Sequence, residues 1–285
     1  MEVVLPHPDW IVGKHALMNI HAQRRNGRTE IDPRSWRIPY QWQGCHYQDA
    51  DDQPFLLLIN SGGGFVEGDV AELHGTLEPC TRALITTTAA SKFYKCLEGK
   101  TSKEFVNLTV GHDALLEYWP DEAIPFASSR VERRTRIHLE PTSRLFATDV
   151  IAAGRIHYRD GEAFAFNQLI SEFEVIVAGR SVITDRLVCE AREEVESLRH
   201  LWDGATNSAL IAIWAPGLPA DLASEIEVIL PGPGIKSSGA TQKDDLVLCR
   251  ILTTEAWACQ EAIFRAWKVV RPIIARKPAR LIRKC

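Results

Sequence analysis

The 285-residue chain predicts a mainly-β fold: a large body of many short strands in stacked, β-helix-like sheets, with two or three helices toward the C-terminus. Three observations carry that expectation. Apolar residues alternate with period two through much of the first two-thirds, the spacing of half-buried strands. Turn signals recur at short intervals, at Asn26-Gly27, Gly62-Gly63-Gly64, Glu78-Pro79, Glu98-Gly99, Gly111, Glu140-Pro141 and Asp160-Gly161. Helical spacing of apolar residues begins only after about residue 190.

In chain order, "VAELHGTLEP" sets Ala71, Leu73, Gly75 and Leu77 on one face and Glu72, His74 and Thr76 on the other. "EFVNLTV" aligns Val106, Leu108 and Val110. "VERRTRIHLEP" aligns Val131, Thr135, Ile137 and Leu139, with arginines between them. "FEVIVAGRSVITDRLV" reads as two strands around Ala178-Gly179-Arg180. "AREEVESLRHLW" places Ala191, Val195, Leu198 and Trp202 at helical spacing, and "PADLASEIEVIL" predicts a short helix. "TEAWACQEAIFRAWKVVR" carries the strongest stripe, Cys259, Ile263, Ala266 and Val270, which Pro272 is expected to end or kink. Between the last two helices, "LPGPGIKSSGATQKDD" reads as a loop and "LVLCRIL" as a strand. With no clean linker and no fixed-period repeat, the economical organisation is one domain over 1–285. Its strand-rich body runs to about 190, and the helix-containing portion covers about 191–285. A separate C-terminal lobe is the alternative.

A 45% hydrophobic, 25% charged composition excludes a disordered chain, and the net charge of -4 does not suggest a nucleic-acid binder. No stretch approaches the roughly 18 apolar residues of a membrane helix. "MEVVLPHPDWIVGKH" lacks the basic and apolar regions of a signal peptide. Seven scattered cysteines, an odd count with no C-x-x-C pair, fit reduced thiols in the cytoplasm.

The glycine run "SGGGFVEGD" resembles a phosphate loop only at first sight. Gly63 and Gly68 have P-loop spacing, but Asp69-Val70 stand where lysine and a hydroxyl residue belong, and a strand rather than a helix follows. A strand-to-strand turn is the plain reading of Gly63, Gly64 and Gly68. The histidines form no H-x-x-x-H, and His15 and His21, six strand residues apart, stand about 20 Å from each other. No preformed metal cage is visible, although a transient path of carboxylates and waters needs no fixed spacing. There is no G-x-S-x-G or S-x-x-K nucleophile. Carboxylates are plentiful: Glu67, Asp69, Glu117, Asp121, Glu122, Asp149 and Glu162. The basic run "RKPARLIRKC" reads as a solvated tail or as a segment that orders on a partner.

The ordered set "GGFVEGD", "RALITTTAASKFY", "ALLEYWPDEAIPF", "GRIHYRDGE" and "RSVITDRL" resembles the UreD (UreH) family of urease accessory proteins, in sequence order over roughly residues 45–272. The resemblance implies a non-enzymatic maturation protein with a mostly-β stacked fold. It implies binding to the urease apoprotein and to UreF, with the GTPase UreG recruited through UreF. It also implies passage of nickel toward urease, with no tightly bound cofactor. Under that resemblance Asp69 and Glu162 stand first as transient nickel carboxylates. Glu67, Glu117 and Glu122 follow, and Arg155 and Arg186 act as orienting groups. Asn60-Ser61 replace the family's usual prolines, Glu67 replaces a glycine, and the common Pro-Arg-x-Trp ending is not evident. These departures leave open a divergent member or a paralogue with another partner. The rival reading from another class is a β-rich carbohydrate-active enzyme or binding module, which requires an aromatic platform or a carboxylate pair at a cleft.

Overall fold

The computed structural model of the chain describes residues 13–48, 52–282 and 284. The N-terminal stretch read against a signal peptide therefore lies largely outside the described residues, as do Arg283 and Cys285 of the basic tail.

The body is a coil of strands. An antiparallel hairpin opens it, β1 (His15–Arg25) and β2 (Arg28–Arg37), turning at Asn26-Gly27 where both residues have positive φ. β3 (Tyr40–Gln41) and β4 (Phe55–Asn60) follow as an antiparallel pair. Three coils then succeed one another. The first is β5 (Val70–Leu77), β6 (Arg82–Thr87) and β7 (Ser91–Phe93). The second is β8 (Ser102–Val110), β9 (Leu115–Trp119) and β10 (Ala123–Pro125). The third is β11 (Arg130–Leu139) and β12 (Arg144–Ala152). Corresponding strands of successive coils pair in parallel: β5 with β8 and β8 with β11, β6 with β9 and β9 with β12, and β7 with β10.

After a small hairpin of β13 (Gly154–Arg155) and β14 (Glu162–Ala163), β15 (Gln168–Val177) joins β11 in parallel. β16 (Arg180–Cys189) then turns back antiparallel across Ala178-Gly179. α1 (Arg192–Leu201) leads to β17 (Asn207–Trp214), which pairs with β12, and α2 (Leu222–Ile229) follows. β18 (Ile235–Lys243), β19 (Leu246–Thr253) and α3 (Ala256–Ile274) complete the chain's regular structure. A seven-stranded sheet in the order β16-β15-β11-β8-β5-β1-β2 faces a ten-stranded one whose main path is β18-β19-β17-β12-β9-β6-β4-β3.

Period-two alternation explains the seam between them. Met18, Ile20, Leu73, Leu108, Ile137 and Phe173 point inward from the first sheet and meet Leu116, Leu145 and Ala147 from the second. The ten-stranded sheet buries its other face as well. Leu115, Phe146, Ile211 and Ile213 pack under Leu222 and Ile226 of α2 and Cys259, Ile263, Trp267 and Val270 of α3. Hence β12 is buried on both faces and reads as a nearly continuous apolar run rather than an alternating one. Each such fully buried aliphatic side chain contributes about 1.5–3 kcal/mol, so the three layers hold one another.

Two local expectations are corrected. Residues 235–243, read as loop, form the edge strand β18, held by its antiparallel hairpin with β19; their small polar side chains carry no strand pattern because neither face is fully covered. The last helix runs through Pro272 to Ile274, two residues beyond the expected stop, and closes with the Ala275 amide donating to the Arg271 carbonyl. The proline lacks the amide that would bond the Lys268 carbonyl, and only two further helical residues follow it. No helix among the described residues is long and apolar enough to cross a membrane.

Candidate functional site

One step along the coil places polar side chains where the others place apolar ones. Glu104 on β8, Arg133 on β11 and Ser171 on β15 are register partners across three adjacent strands, all at inward positions. Arg133 donates from Nε to Glu104 Oε2 at 2.9 Å, from Nη1 to Ser171 Oγ at 3.4 Å, and from Nη2 across the seam to Asp149 Oδ1 of β12 at 3.0 Å. Ser91 Oγ of β7 donates to the other Glu104 oxygen at 2.8 Å. The Arg133 and Asp149 side chains are only 7% and 8% exposed, so the row is interior. Burial opposes the charge on Arg133, but the carboxylates of Asp149 and Glu104 outweigh it and hold its pKa above the ordinary arginine value. Tyr40 and Tyr118 flank the row. Burial, reinforced by the Glu104 charge, pushes both phenols well up, so they stay protonated donors.

Glu117 lies on the opposite face of the ten-stranded sheet, beneath α3. Its carboxylate accepts hydrogen bonds from Trp267 Nε1 and Gln53 Nε2, each at 2.5 Å, and lies 3.3 Å from Arg271 Nε. Arg271 stacks on the Trp267 ring at 4.6 Å and donates to the Pro278 carbonyl at 2.8 Å. Burial raises the Glu117 pKa, against the lowering pull of the Arg271 charge. The C-terminal tail crosses this region, pinned by Lys277 to Asp52 and by Lys284 to Asp121. A cavity of about 660 Å³ lies there, lined by Gln53, Phe55, Trp267, Arg271, Arg280 and Lys284.

The other expected carboxylates stand apart from both clusters. Asp69 is buried at the end of the glycine turn, and each of its oxygens accepts a backbone amide: Lys14 at 2.6 Å and Val66 at 2.9 Å. Gly64 is required there, since a Cβ would meet the Lys92 carbonyl at 2.7 Å; Gly63 and Gly68 both take positive φ. Glu67 accepts the amides of Leu97, Glu98 and Lys100, which lower its pKa and tie the 97–100 loop to the turn. Glu162 forms a two-pronged pair with Arg155 at 2.7 Å, and Arg155 is stacked between Phe126 and Tyr158. Arg155 and Glu122 both line a second cavity of about 470 Å³, with His157, Glu255 and Trp257. Arg186 is on the outer face of the seven-stranded sheet, bound to Glu172 at 2.9 Å. The structure thus brings Glu122 and Arg155 to one cavity and Glu162 to Arg155, but distributes the others over three places: Asp69 and Glu67 on the glycine turn, Glu117 beneath α3 and Arg186 on the outer face. Among the described residues, no group of three or more histidines, cysteines or carboxylates is placed to hold a metal ion.

Sequence reasoning missed Glu104 and Arg133. The signal was there: position 133 belongs to the inward series Val131, Thr135, Ile137, Leu139, and position 104 precedes Val106, Leu108, Val110 on the inward face of β8. A charge in an inward slot of a strand requires a buried partner.

The family model described as "UreD urease accessory protein" matches residues 14–284. The chain belongs to the UreD family. It is 28% identical over 271 residues to "Urease accessory protein UreD 2" of Brucella suis biovar 1, covering 93% of this chain and 89% of that one. It is 26% identical over 237 residues to "Urease accessory protein UreD" of Streptococcus thermophilus, covering 82% and 84%. It is 32% identical over 173 residues to the protein of that name from Herpetosiphon aurantiacus, covering 61% and 59%. As a UreD family member the chain is a urease accessory protein, and the match takes in both sheets and all three helices.

Proposed function

We propose that this UreD family member serves as scaffold and conduit for nickel delivery to the urease apoprotein, in complex with UreF and, through UreF, the GTPase UreG. One observation carries the conduit part: the Glu104–Arg133–Asp149 row buried in the seam between the sheets. Buried ion pairs add little net stability, because desolvation consumes most of the Coulomb gain, so stability alone gives this row no purpose. Two carboxylates against one guanidinium formally leave one negative charge unmatched, which favours a cation. Oxygen ligands suit a borderline divalent ion that must arrive and leave, whereas a closed thiolate cage would retain it. A cation at Asp69 would have to displace two backbone amides, and one at Glu162 would have to displace the Arg155 fork. Glu104 is engaged at both oxygens, by Arg133 and Ser91, and Asp149 at one, so it is the interior place and the excess carboxylate of the row that set Glu104 and Asp149 ahead of Asp69 and Glu162 on the route. The carbohydrate reading loses support through the family match over residues 14–284; Trp119, Trp202 and Trp267 are core residues, while Trp36 and Trp257 are exposed.

The test is co-expression of Glu104→Gln and Asp149→Asn variants with the cognate urease genes. The expected result is an intact accessory complex with lower nickel content and activity in the urease. Full activation by both variants would overturn the conduit; loss of the complex in folded variants would assign the row to assembly instead.

A further inference from the structure

We propose that the end of the molecule formed by residues 34–39, 61–67 and 92–100 is a docking surface for an acidic segment of a partner protein, one that sets an apolar side chain among carboxylates. The inference rests on the reading that this chain works by binding other proteins.

The three segments form one surface. Ser61 N donates to the Pro39 carbonyl at 2.9 Å, Phe65 N to the Lys92 carbonyl at 2.7 Å, and Tyr94 N to the Phe65 carbonyl at 2.8 Å. Tyr94 Oη reaches the Gly63 carbonyl at 3.2 Å, and Glu67 binds the amides of the 97–100 loop. Of the nine large hydrophobic side chains exposed among the described residues, four are carried here: Trp36, Ile38, Val66 and Leu97, the last 78% exposed. That density on so short a length of chain is what an interface presents.

Charge decides the occupant. Arg34, Arg37, Lys92 and Lys95 lie on these segments, and none makes a side-chain hydrogen bond or ion pair among the described residues. Elsewhere on the seven-stranded sheet several arginines are matched, Arg25 to Asp32, Arg134 to Glu172 and Arg136 to Glu174, and those without a carboxylate partner, Arg24, Arg130 and Arg180, are not grouped with exposed apolar side chains. The two acids of the surface are already engaged, Glu67 by backbone amides and Glu98 by Lys100. Unmatched positive charge around exposed aromatic and aliphatic groups, on a chain of net charge -4, fits carboxylates flanking an apolar anchor. Glu67 also links the surface to this chain in particular, because it fixes the loop that holds Leu97 outward.

The experiment co-expresses the tagged full chain with the urease subunits and accessory proteins of the same genome and measures the complex recovered by size exclusion. Two double variants, Arg34→Glu/Arg37→Glu and Trp36→Ala/Ile38→Ala, are compared with wild type and with Arg180→Glu at the tip of the β15–β16 hairpin. Circular dichroism and melting establish that each is folded. The expected result is about tenfold or greater loss of one bound component in both double variants, with the charge reversal most severe at low salt, and no loss in Arg180→Glu. Full retention by both double variants overturns the docking surface while leaving the accessory reading intact. Loss of self-association alone overturns it too, since the occupant is then a second copy. Failure of the wild type itself to retain any urease component overturns both readings.

Discussion

Arg133 and Asp149 belong to opposite sheets, and their side chains meet at 3.0 Å in a polar row set within a largely apolar seam. Removing the guanidinium alone leaves two carboxylates facing each other without compensation. Arg133→Met is expected to destabilise the fold by about 3–5 kcal/mol. The triple replacement Arg133→Met/Glu104→Leu/Asp149→Leu is expected to recover most of that loss. Urea denaturation midpoints check both, and the triple variant, folded but without the carboxylates of the row, should fail to support nickel-dependent activation.

Glu117 gives a pH signature. Burial raises its folded-state pKa above the ordinary 4.5, so the folded protein binds this proton more tightly than the unfolded chain does. Its contribution to stability is therefore fully present below about 4.5 and is lost as pH rises through the raised value. Glu117→Gln should be less stable than wild type at acid pH, where the protonated carboxyl is the form the fold favours. The difference between variant and wild type should also narrow as pH rises through that window, measured as urea midpoints at a series of pH values.

Asp69 ties the glycine turn to the residue that precedes β1. Asp69→Ala leaves the Lys14 and Val66 amides without acceptors and should cost about 1–3 kcal/mol. Asp69→Asn, which keeps one carbonyl acceptor, should cost less. Thermal melts of the two variants rank them. A loss of urease activation by Asp69→Asn at unchanged melting would instead point to a direct role for the carboxylate.

Glu67 organises a loop rather than a core. Glu67→Gly should leave global stability close to wild type while the Leu97, Glu98 and Lys100 amides lose protection from hydrogen exchange, since the carboxylate is their acceptor. Residue-resolved exchange by NMR or mass spectrometry reads this directly.

Much of the fold was legible because alternation and turn chemistry act locally. The β15–β16 hairpin followed from Ala178-Gly179, and α3 from the stripe of Cys259, Ile263, Ala266 and Val270. The stacking of β5, β8 and β11 was less legible, since parallel partners come from different coils and are joined by register rather than by repeated residues. β18 escaped because Ser237, Ser238, Gly239 and Thr241 pair through backbone alone. In the site, Arg133 and Glu104 could be read as inward charges, but the contact with Asp149 could not. It depends on which sheet lies opposite, a fact of packing rather than of pattern. Asp69 showed the converse limit: an acid after a glycine turn looks available in the sequence, and only the fold shows its oxygens claimed by amides.

The ends of the two sheets bear on how the molecule behaves in concentrated mixtures. A stacked parallel coil is open-ended by nature, because each coil is a template for the next, and an uncapped one invites fibrous polymerisation. Here the seven-stranded sheet finishes in antiparallel β2, interrupted by Pro33, and in antiparallel β16; the ten-stranded sheet finishes in the two-residue β3 and the polar β18. Pro33 and the brevity of β3 blunt two of these borders, and the charged side chains of β16 and the polar ones of β18 disfavour strand addition at the other two. The coil can therefore join a multi-protein assembly through side-chain surfaces without its own copies annealing edge to edge.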